Sequence, residues 1–162
     1  MIKLFNKFFS SIFHMDLNDI LFGPEHDAVI RASASTYSPN ELATRGLKID
    51  LNVSSNENKR FVGNVANKTY PDLVVWRPDY LNANTGQAVV VEAIETAHTL
   101  SPLPINKWRN LASSGAKFNL IIPAAYLLAV RDALRVNNIT SGFVLQTYFV
   151  DGQNRYTFTT VT

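Results

Sequence analysis

Hydrophobic and polar residues follow two periods along this chain, and together these periods predict both helices and strands. Residues 48–53 alternate with a period of two, which is typical of a half-buried strand. Apolar runs at 73–76 and 88–94 predict two buried strands, and the turn residues between them predict a hairpin. Apolar residues at helical spacing in 104–114 predict a helix that ends at Gly115.

The remaining segments predict one domain over residues 23–162. Gly23-Pro24 predicts an interruption of regular secondary structure, and Ser38-Pro39 predicts a helix start. Periodicity and turn residues predict further helices over 25–35 and 123–136, and strands over 118–122, 142–150 and 156–161. Residues 61–65 are either a short strand or an extended segment. We therefore expect an α/β fold with a mixed central sheet flanked by helices, in which 72–77 and 88–95 pair antiparallel.

Residues 1–22 form an N-terminal segment whose start is amphipathic. Its apolar residues fall on one helical face, and its polar residues, including Lys3 and Lys7, lie on the other. Such a helix packs on the body of the protein, joins two copies in a homodimer or lies on a membrane surface. A processed leader is a further alternative, although Lys3, Asn6 and Lys7 interrupt the apolar core of a signal peptide.

Composition excludes several kinds of chemistry. The chain has no cysteine, so disulfides, thiolate zinc sites and cysteine nucleophiles are excluded. It also lacks an apolar run long enough for a transmembrane helix, and we expect a cytoplasmic protein. The net charge of +2 is unevenly distributed, because residues 97–139 contain five basic residues and one acid. A basic segment of this kind is typical of a phosphate-binding surface or of a solvated helix face.

Three segments resemble the PD-(D/E)XK nuclease-like superfamily. They are, in chain order, YPDLVVW at 70–76, VVVEAIET at 89–96 and KWRNLASSGAKFNLIIP at 107–123. The pattern is especially similar to uncharacterised bacterial members with a PD motif followed by E-V-E-T. The resemblance covers less than half of the chain, and it implies a restriction-endonuclease-like fold.

The resemblance also implies a metal-dependent hydrolase acting on the phosphodiester bonds of DNA. Asp72 matches the aspartate of the family motif, and in one register Glu92 matches the second acid. In the other register Glu95-Thr96 matches the E-T pair, so Glu95 takes the place of the family lysine and Ala93 that of the second acid. Carboxylates of this kind hold Mg²⁺ or Mn²⁺, which activates water and neutralises developing charge. The main-chain carbonyl of Ile94 matches a further ligand. Without the resemblance, Asp72 reads as a turn residue at a strand start.

The chain departs from the family pattern in two ways. The family lysine, two residues after the second acid, is replaced by Ile94 if Glu92 is that acid. Side chains alternate along a strand, so Glu92 and Glu95 face opposite sides unless a β-bulge brings them together. We expect Glu95 to face the site, and Lys107 is a candidate replacement for the lost lysine.

Other candidate residues surround this motif. Glu25 is a candidate additional metal ligand from the first helix, and Lys107, Arg109 and Lys117 are candidate nucleic-acid-binding residues. Each also has an ordinary structural interpretation as a solvated helix or loop residue. Trp76 and Trp108 are expected to be core aromatics.

Three functions follow from these features. The first is a metal-dependent nuclease. The second is a catalytically inactive descendant of the fold that binds nucleic acid or protein, which the missing lysine favours. The third is a membrane-peripheral structural protein anchored by residues 1–22.

Overall fold

A computed structural model describes residues 17–54, 59–63, 67–82 and 84–161. Within these ranges the helices are α1 (Leu17–Ala34), α2 (Pro39–Thr44), α3 (Ile105–Ala112) and α4 (Leu127–Val136), the last preceded by a 3₁₀ turn at Ala124–Tyr126. The strands are β1 (Lys48–Leu51), β2 (Leu73–Pro78), β3 (Gly86–Ile94), β4 (Lys117–Pro123), β5 (Phe143–Val150) and β6 (Tyr156–Thr160). The amphipathic helix expected at the start of the chain lies outside the described residues.

The strands form one mixed sheet in the order β1-β2-β3-β4-β5-β6. The β2–β3 hairpin is antiparallel, as expected, with Leu73 opposite Glu92 and an irregularity between Val75 and Trp76. Strand β4 is parallel to both β3 and β5, and α3 and α4 make the two connections. The β5–β6 hairpin is antiparallel. The expected α/β fold with a mixed sheet is therefore confirmed.

Helices cover both faces of the sheet, and alternation along the strands assigns each residue to a face. On one face, α3 and α4 pack through Trp108, Leu111, Val130 and Leu134 onto odd-numbered β3 residues such as Val91. On the other face, α1 packs through Val29 and Ile30 onto Ile94, Ile121 and Tyr148. Both tryptophans are buried, as expected. Burial of each large apolar side chain contributes roughly 1.5–3 kcal/mol.

One prediction about local structure was wrong. Gly23-Pro24 does not interrupt the helix, because α1 runs through both residues. Of the two alternatives for 61–65, the short strand is not formed within 61–63; Val62 makes an isolated bridge with Thr69, and residues 64–65 lie outside the described part. Pro123 is both the last residue of β4 and the N-cap of the 3₁₀ turn that leads into α4. The helix start at Ser38 is confirmed, since its side chain accepts a hydrogen bond from the Glu41 amide.

No helix among the described residues is long and apolar enough to span a membrane.

Candidate active site

The start of β2 and the end of β3 lie side by side because the two strands are antiparallel. This pairing places Asp72, immediately before β2, beside the end of β3. The Asp72 amide donates to the carbonyl of Glu92 at 2.7 Å. One carboxylate oxygen of Asp72, Oδ2, accepts from the Ile94 amide at 2.7 Å. The backbone of β3 therefore fixes the orientation of this buried carboxylate.

Helix α3 brings a cation to the same place. Lys107 lies in the first turn of α3, and its Nζ donates to both carboxylate oxygens of Asp72, at 3.1 and 2.9 Å. The same Nζ lies 3.8 Å from Oε1 of Glu95, which is only 2% exposed. Trp108, the next residue on α3, donates its indole N–H to that Glu95 oxygen at 2.9 Å. Two carboxylates from different strand ends thus converge on one ammonium group.

Helix α1 contributes His26 to this cluster. Nε2 of His26 lies 2.8 Å from the carbonyl oxygen of Ile94. A carbonyl only accepts hydrogen bonds, so Nε2 carries the hydrogen and donates it. The same nitrogen is 3.7 Å from Oδ1 of Asp72. The candidate active site therefore consists of His26, Asp72, Glu95 and Lys107, with the carbonyl of Ile94 facing it.

The charges in the candidate active site stabilise one another. Burial alone would raise the pKa of Asp72, but the Lys107 ammonium and the contact with His26 outweigh burial and bring that pKa to about 2. Burial lowers the pKa of Lys107, yet Asp72 and Glu95 together raise it above its usual value. Burial also lowers the pKa of His26, and the contact with Asp72 raises it overall. Near neutral pH, Asp72 is ionised and Lys107 keeps its proton.

Glu92 lies on the opposite face of the sheet, away from the candidate active site. Its carboxylate accepts from the Ser33 hydroxyl at 2.6 Å, the Tyr37 hydroxyl at 2.6 Å and the Asn119 amide at 3.0 Å. Burial and the adjacent Glu92 carboxylate raise the pKa of Tyr37 well above its usual value, so Tyr37 remains a donor. Glu92 is held by three neutral donors, and its carboxylate is not brought to Asp72 and Lys107.

The contacts of Glu25, Arg109 and Lys117 are with groups outside the candidate active site. Glu25 lies 4.0 Å from His98, and both side chains are about half exposed. Arg109 lies two residues beyond Lys107, about 200° around the helix, and donates to Asn106 and to the carbonyl of Asn137. Lys117 pairs with Val90 in the sheet, about 13 Å along β3 from Ile94.

Sequence patterns gave no signal for several of these contacts. His26 is 46 positions away from Asp72, and nothing in the α1 pattern marks it as different from its neighbours. Trp108 was expected only in the core, but its N–H also holds Glu95. Ser33, Tyr37 and Asn119 contact Glu92 in the folded chain, but their positions in the sequence do not indicate these contacts.

Whether a divalent metal suits the candidate active site depends on the oxygens that face it. They belong to Asp72, Glu95 and the carbonyl of Ile94, which are the hard ligands that Mg²⁺ and Mn²⁺ prefer. Among the described residues, no group of three or more His, Cys, Asp or Glu side chains is arranged to hold a metal. Two carboxylates, a carbonyl and retained waters suffice for Mg²⁺. Asp72, Glu95 and the Ile94 carbonyl would hold such a metal only in place of the Lys107 ammonium, which now contacts both Asp72 oxygens.

No protein-family model, curated protein or solved structure matches the chain significantly.

Proposed function

We propose that this protein is a nuclease that hydrolyses phosphodiester bonds with a divalent metal, Mg²⁺ or Mn²⁺. We further propose that its domain is restriction-endonuclease-like. One observation carries the proposal: Asp72 and Glu95 both lie within 4.0 Å of the Lys107 ammonium, at the point where β2 begins and β3 ends. Two acids and a lysine are also the groups that the PD-(D/E)XK resemblance implies.

The position of Lys107 addresses the main departure from the family pattern. In the register that uses Glu95, this acid itself stands where the resemblance predicts a lysine, and Lys107 reaches Asp72 and Glu95 from α3 instead. Because the three groups converge in space, the missing lysine of the strand motif does not by itself argue against catalysis.

Each side chain has a distinct role in the proposed reaction. Asp72 and Glu95 supply anionic oxygens, and the bound metal supplies an activated water and charge neutralisation. The raised pKa of Lys107 keeps its ammonium protonated, so it acts as a cation that positions a phosphate oxygen or water, not as a base. His26 donates to the Ile94 carbonyl and thereby holds α1 against the end of β3.

The proposal is tested with purified protein and labelled DNA and RNA oligonucleotides, each with Mg²⁺, Mn²⁺ or EDTA. Asp72→Asn, Glu95→Gln and Lys107→Met should each reduce metal-dependent cleavage by about 100-fold or more. Glu92→Gln is the matched control, because it removes a buried carboxylate from the same strand but outside the candidate active site. Absence of cleavage by the wild type with either metal, together with absence of metal binding in calorimetry, would overturn the proposal.

A non-catalytic binding module is the second candidate, and one observation favours it. Lys107 already neutralises Asp72, and Trp108 already donates to Glu95, so the two acids have partners without a metal. In that case the wild type binds nucleic acid or protein without cleaving it, and Lys107→Met destabilises the fold by leaving Asp72 buried without its cation.

A further inference from the structure

A second chemical feature lies next to the candidate active site, in the segment that leads from β1 to β2. Residues 59–71 contain Lys59, Arg60 and Lys68 but no acid, and they also contain Phe61 and Tyr70. Residues 60–63 and 67–70 run antiparallel, joined by the bridge between Val62 and Thr69. We refer to these two stretches as the aromatic ribbon. The sequence pattern predicted a short strand or an extended segment here, but its basic and aromatic residues were not assigned a role.

The aromatic ribbon is anchored at several points, so its surface is pre-formed. Val62 and Thr69 exchange two main-chain hydrogen bonds, at 2.9 and 3.0 Å. The side-chain amide of Asn52 donates to the carbonyls of Arg60 and Pro71, and its oxygen accepts from the Arg60 amide at 2.7 Å. Arg60 donates to Asp50 at 2.6 Å and stacks 3.5 Å above the ring of Trp76. Arg60 therefore serves as an anchor.

Alternation across the bridge separates the inward and outward side chains of the aromatic ribbon. Val62 packs against the core, and Thr69 is buried, so these two face inward. Phe61, Lys68 and Tyr70 therefore share the outward face. The rings of Phe61 and Tyr70 meet edge to face at 6.0 Å, and Lys68 Nζ lies 4.7 Å from the centre of the Phe61 ring. Tyr70 is 43% exposed.

The aromatic ribbon adjoins the candidate active site through both the chain and α3. Tyr70 precedes Asp72 by two residues, a reach of about 7 Å along an extended backbone. Thr69 accepts a hydrogen bond at 3.1 Å from Asn110, which lies one helical turn after Lys107. A groove of about 690 Å³ separates the ribbon from the second half of α3, and Lys68, Asn110 and Ser113 line it.

We propose that the aromatic ribbon binds single-stranded nucleic acid and delivers it to Asp72. An exposed ring accepts the face of an unpaired base, whereas a duplex keeps its base faces stacked inside. Tyr70 provides this ring, Phe61 supports it from the side, and Lys68 pairs with a backbone phosphate. Arg60 is paired with Asp50, so Lys59 and Lys68 supply the excess positive charge that favours a polyanion. Single-stranded nucleic acid is thus the substrate class of the proposed nuclease. The choice of nucleic acid as the polymer rests on that proposed function.

Binding is measured by fluorescence anisotropy with labelled 12-nucleotide strands of DNA and RNA and with the matching DNA duplex. EDTA is present throughout, so cleavage does not contribute. We expect the wild type to bind single strands more tightly than duplex. Tyr70→Ala should weaken single-strand binding about 5- to 150-fold, the range found for loss of one stacked base. Tyr70→Phe keeps the ring face and should bind like the wild type.

A salt titration tests the role of Lys68. Loss of one phosphate contact lowers the slope of log affinity against log salt by about 0.7 for a single strand. Lys68→Ala should show this decrease. The matched control is Arg155→Ala, which removes the same charge from an exposed position beside Asp151 on the β5–β6 hairpin and should leave the slope unchanged. Circular dichroism verifies that each variant is folded.

The outcomes separate this inference from the proposed function. Equal or tighter binding of duplex, or unchanged binding by a folded Tyr70→Ala variant, overturns the aromatic ribbon as a single-strand site even if the wild type cleaves nucleic acid. Tyr70-dependent binding of single strands, with no cleavage in Mg²⁺ or Mn²⁺ and no metal binding in calorimetry, supports the aromatic ribbon and overturns the nuclease. A difference between the DNA and RNA arms identifies the sugar that the site accepts.

Discussion

The three buried acids at the junction of β2 and β3 are stabilised by two different means. Asp72 and Glu95 share the Lys107 ammonium, whereas Glu92 is surrounded by hydroxyl and amide donors. Ser33 and Tyr37 each donate a hydroxyl hydrogen bond of 2.6 Å to the Glu92 side chain. Asp72 is held by the charged Lys107 ammonium. Neutral donors make Glu92 part of the packing between α1 and the sheet.

The low pKa of Asp72 predicts how stability depends on pH. Its pKa falls from 3.8 to about 2 on folding, so the ionised group stabilises the folded state above about pH 4, and this contribution disappears as the pH falls to about 2. The contribution is about 2 kcal/mol. Urea unfolding in EDTA should show that the stability difference between wild type and Asp72→Asn shrinks by this amount between pH 5 and pH 2. A constant difference would contradict the predicted pKa shift.

The donors around Glu92 predict a stability effect without a direct effect on chemistry. Glu92→Gln places an amide N–H₂ against at least one hydroxyl donor, which should destabilise the fold by about 1–3 kcal/mol. Thermal unfolding measures this loss, and cleavage per folded molecule should stay within a few-fold of the wild type. If Glu92→Gln abolishes cleavage while Glu95→Gln does not, the assignment of the two acids is reversed.

At the residue scale, strand alternation alone predicted that Glu92 and Glu95 face opposite sides. It did not determine which acid joins Asp72, because that depends on which helix covers each face. Helix α3 covers one face of the sheet by packing Trp108 and Leu111 into the core that also contains Val91 of β3. His26 required the same tertiary information.

At the scale of elements, α1 shows why a breaker motif misled the sequence interpretation. A Cβ on Gly23 would lie 2.9 Å from the Ser54 hydroxyl, so glycine permits a close approach between α1 and the loop after β1. One turn later, Asp27 accepts hydrogen bonds from the amide and hydroxyl of Ser54. These contacts hold the helix across Pro24. The strands were predicted more closely, since their apolar runs are long and their turn residues distinct.

Pro24 lies inside α1 and is expected to lower the stability of this helix. A proline inside a helix removes one hydrogen bond and crowds the preceding turn, at a cost of about 3 kcal/mol. Pro24 is exposed, so alanine fits without disturbing the core. Pro24→Ala should therefore raise the free energy of unfolding by about 1–3 kcal/mol, measured by urea titration. An unchanged or lower value would show that the ring makes a compensating contact.

At the scale of the whole molecule, metal binding and folding are linked. A metal that binds only the folded protein, at about 100 times its Kd, raises the free energy of unfolding by about 2.7 kcal/mol, which corresponds to a Tm increase of about 5–10 °C. We expect this increase for the wild type with Mn²⁺ and a loss of the increase for Asp72→Asn. Lys107→Met should bind the metal more tightly, because the competing ammonium is gone. A wild-type Tm unaffected by metal would contradict the proposed site.

The order of the strands has a consequence for folding kinetics. Each strand pairs with the strand that follows it in the chain, so no strand is inserted between two earlier ones. Pairings between sequence neighbours give a low contact order for a six-stranded sheet, and loop-closure entropy is correspondingly small. During synthesis, β2 can pair with β1, and every later strand emerges beside an edge that is already formed. The sheet can thus grow in one direction from β1, and the junction that holds Asp72 is complete before α4 has been made.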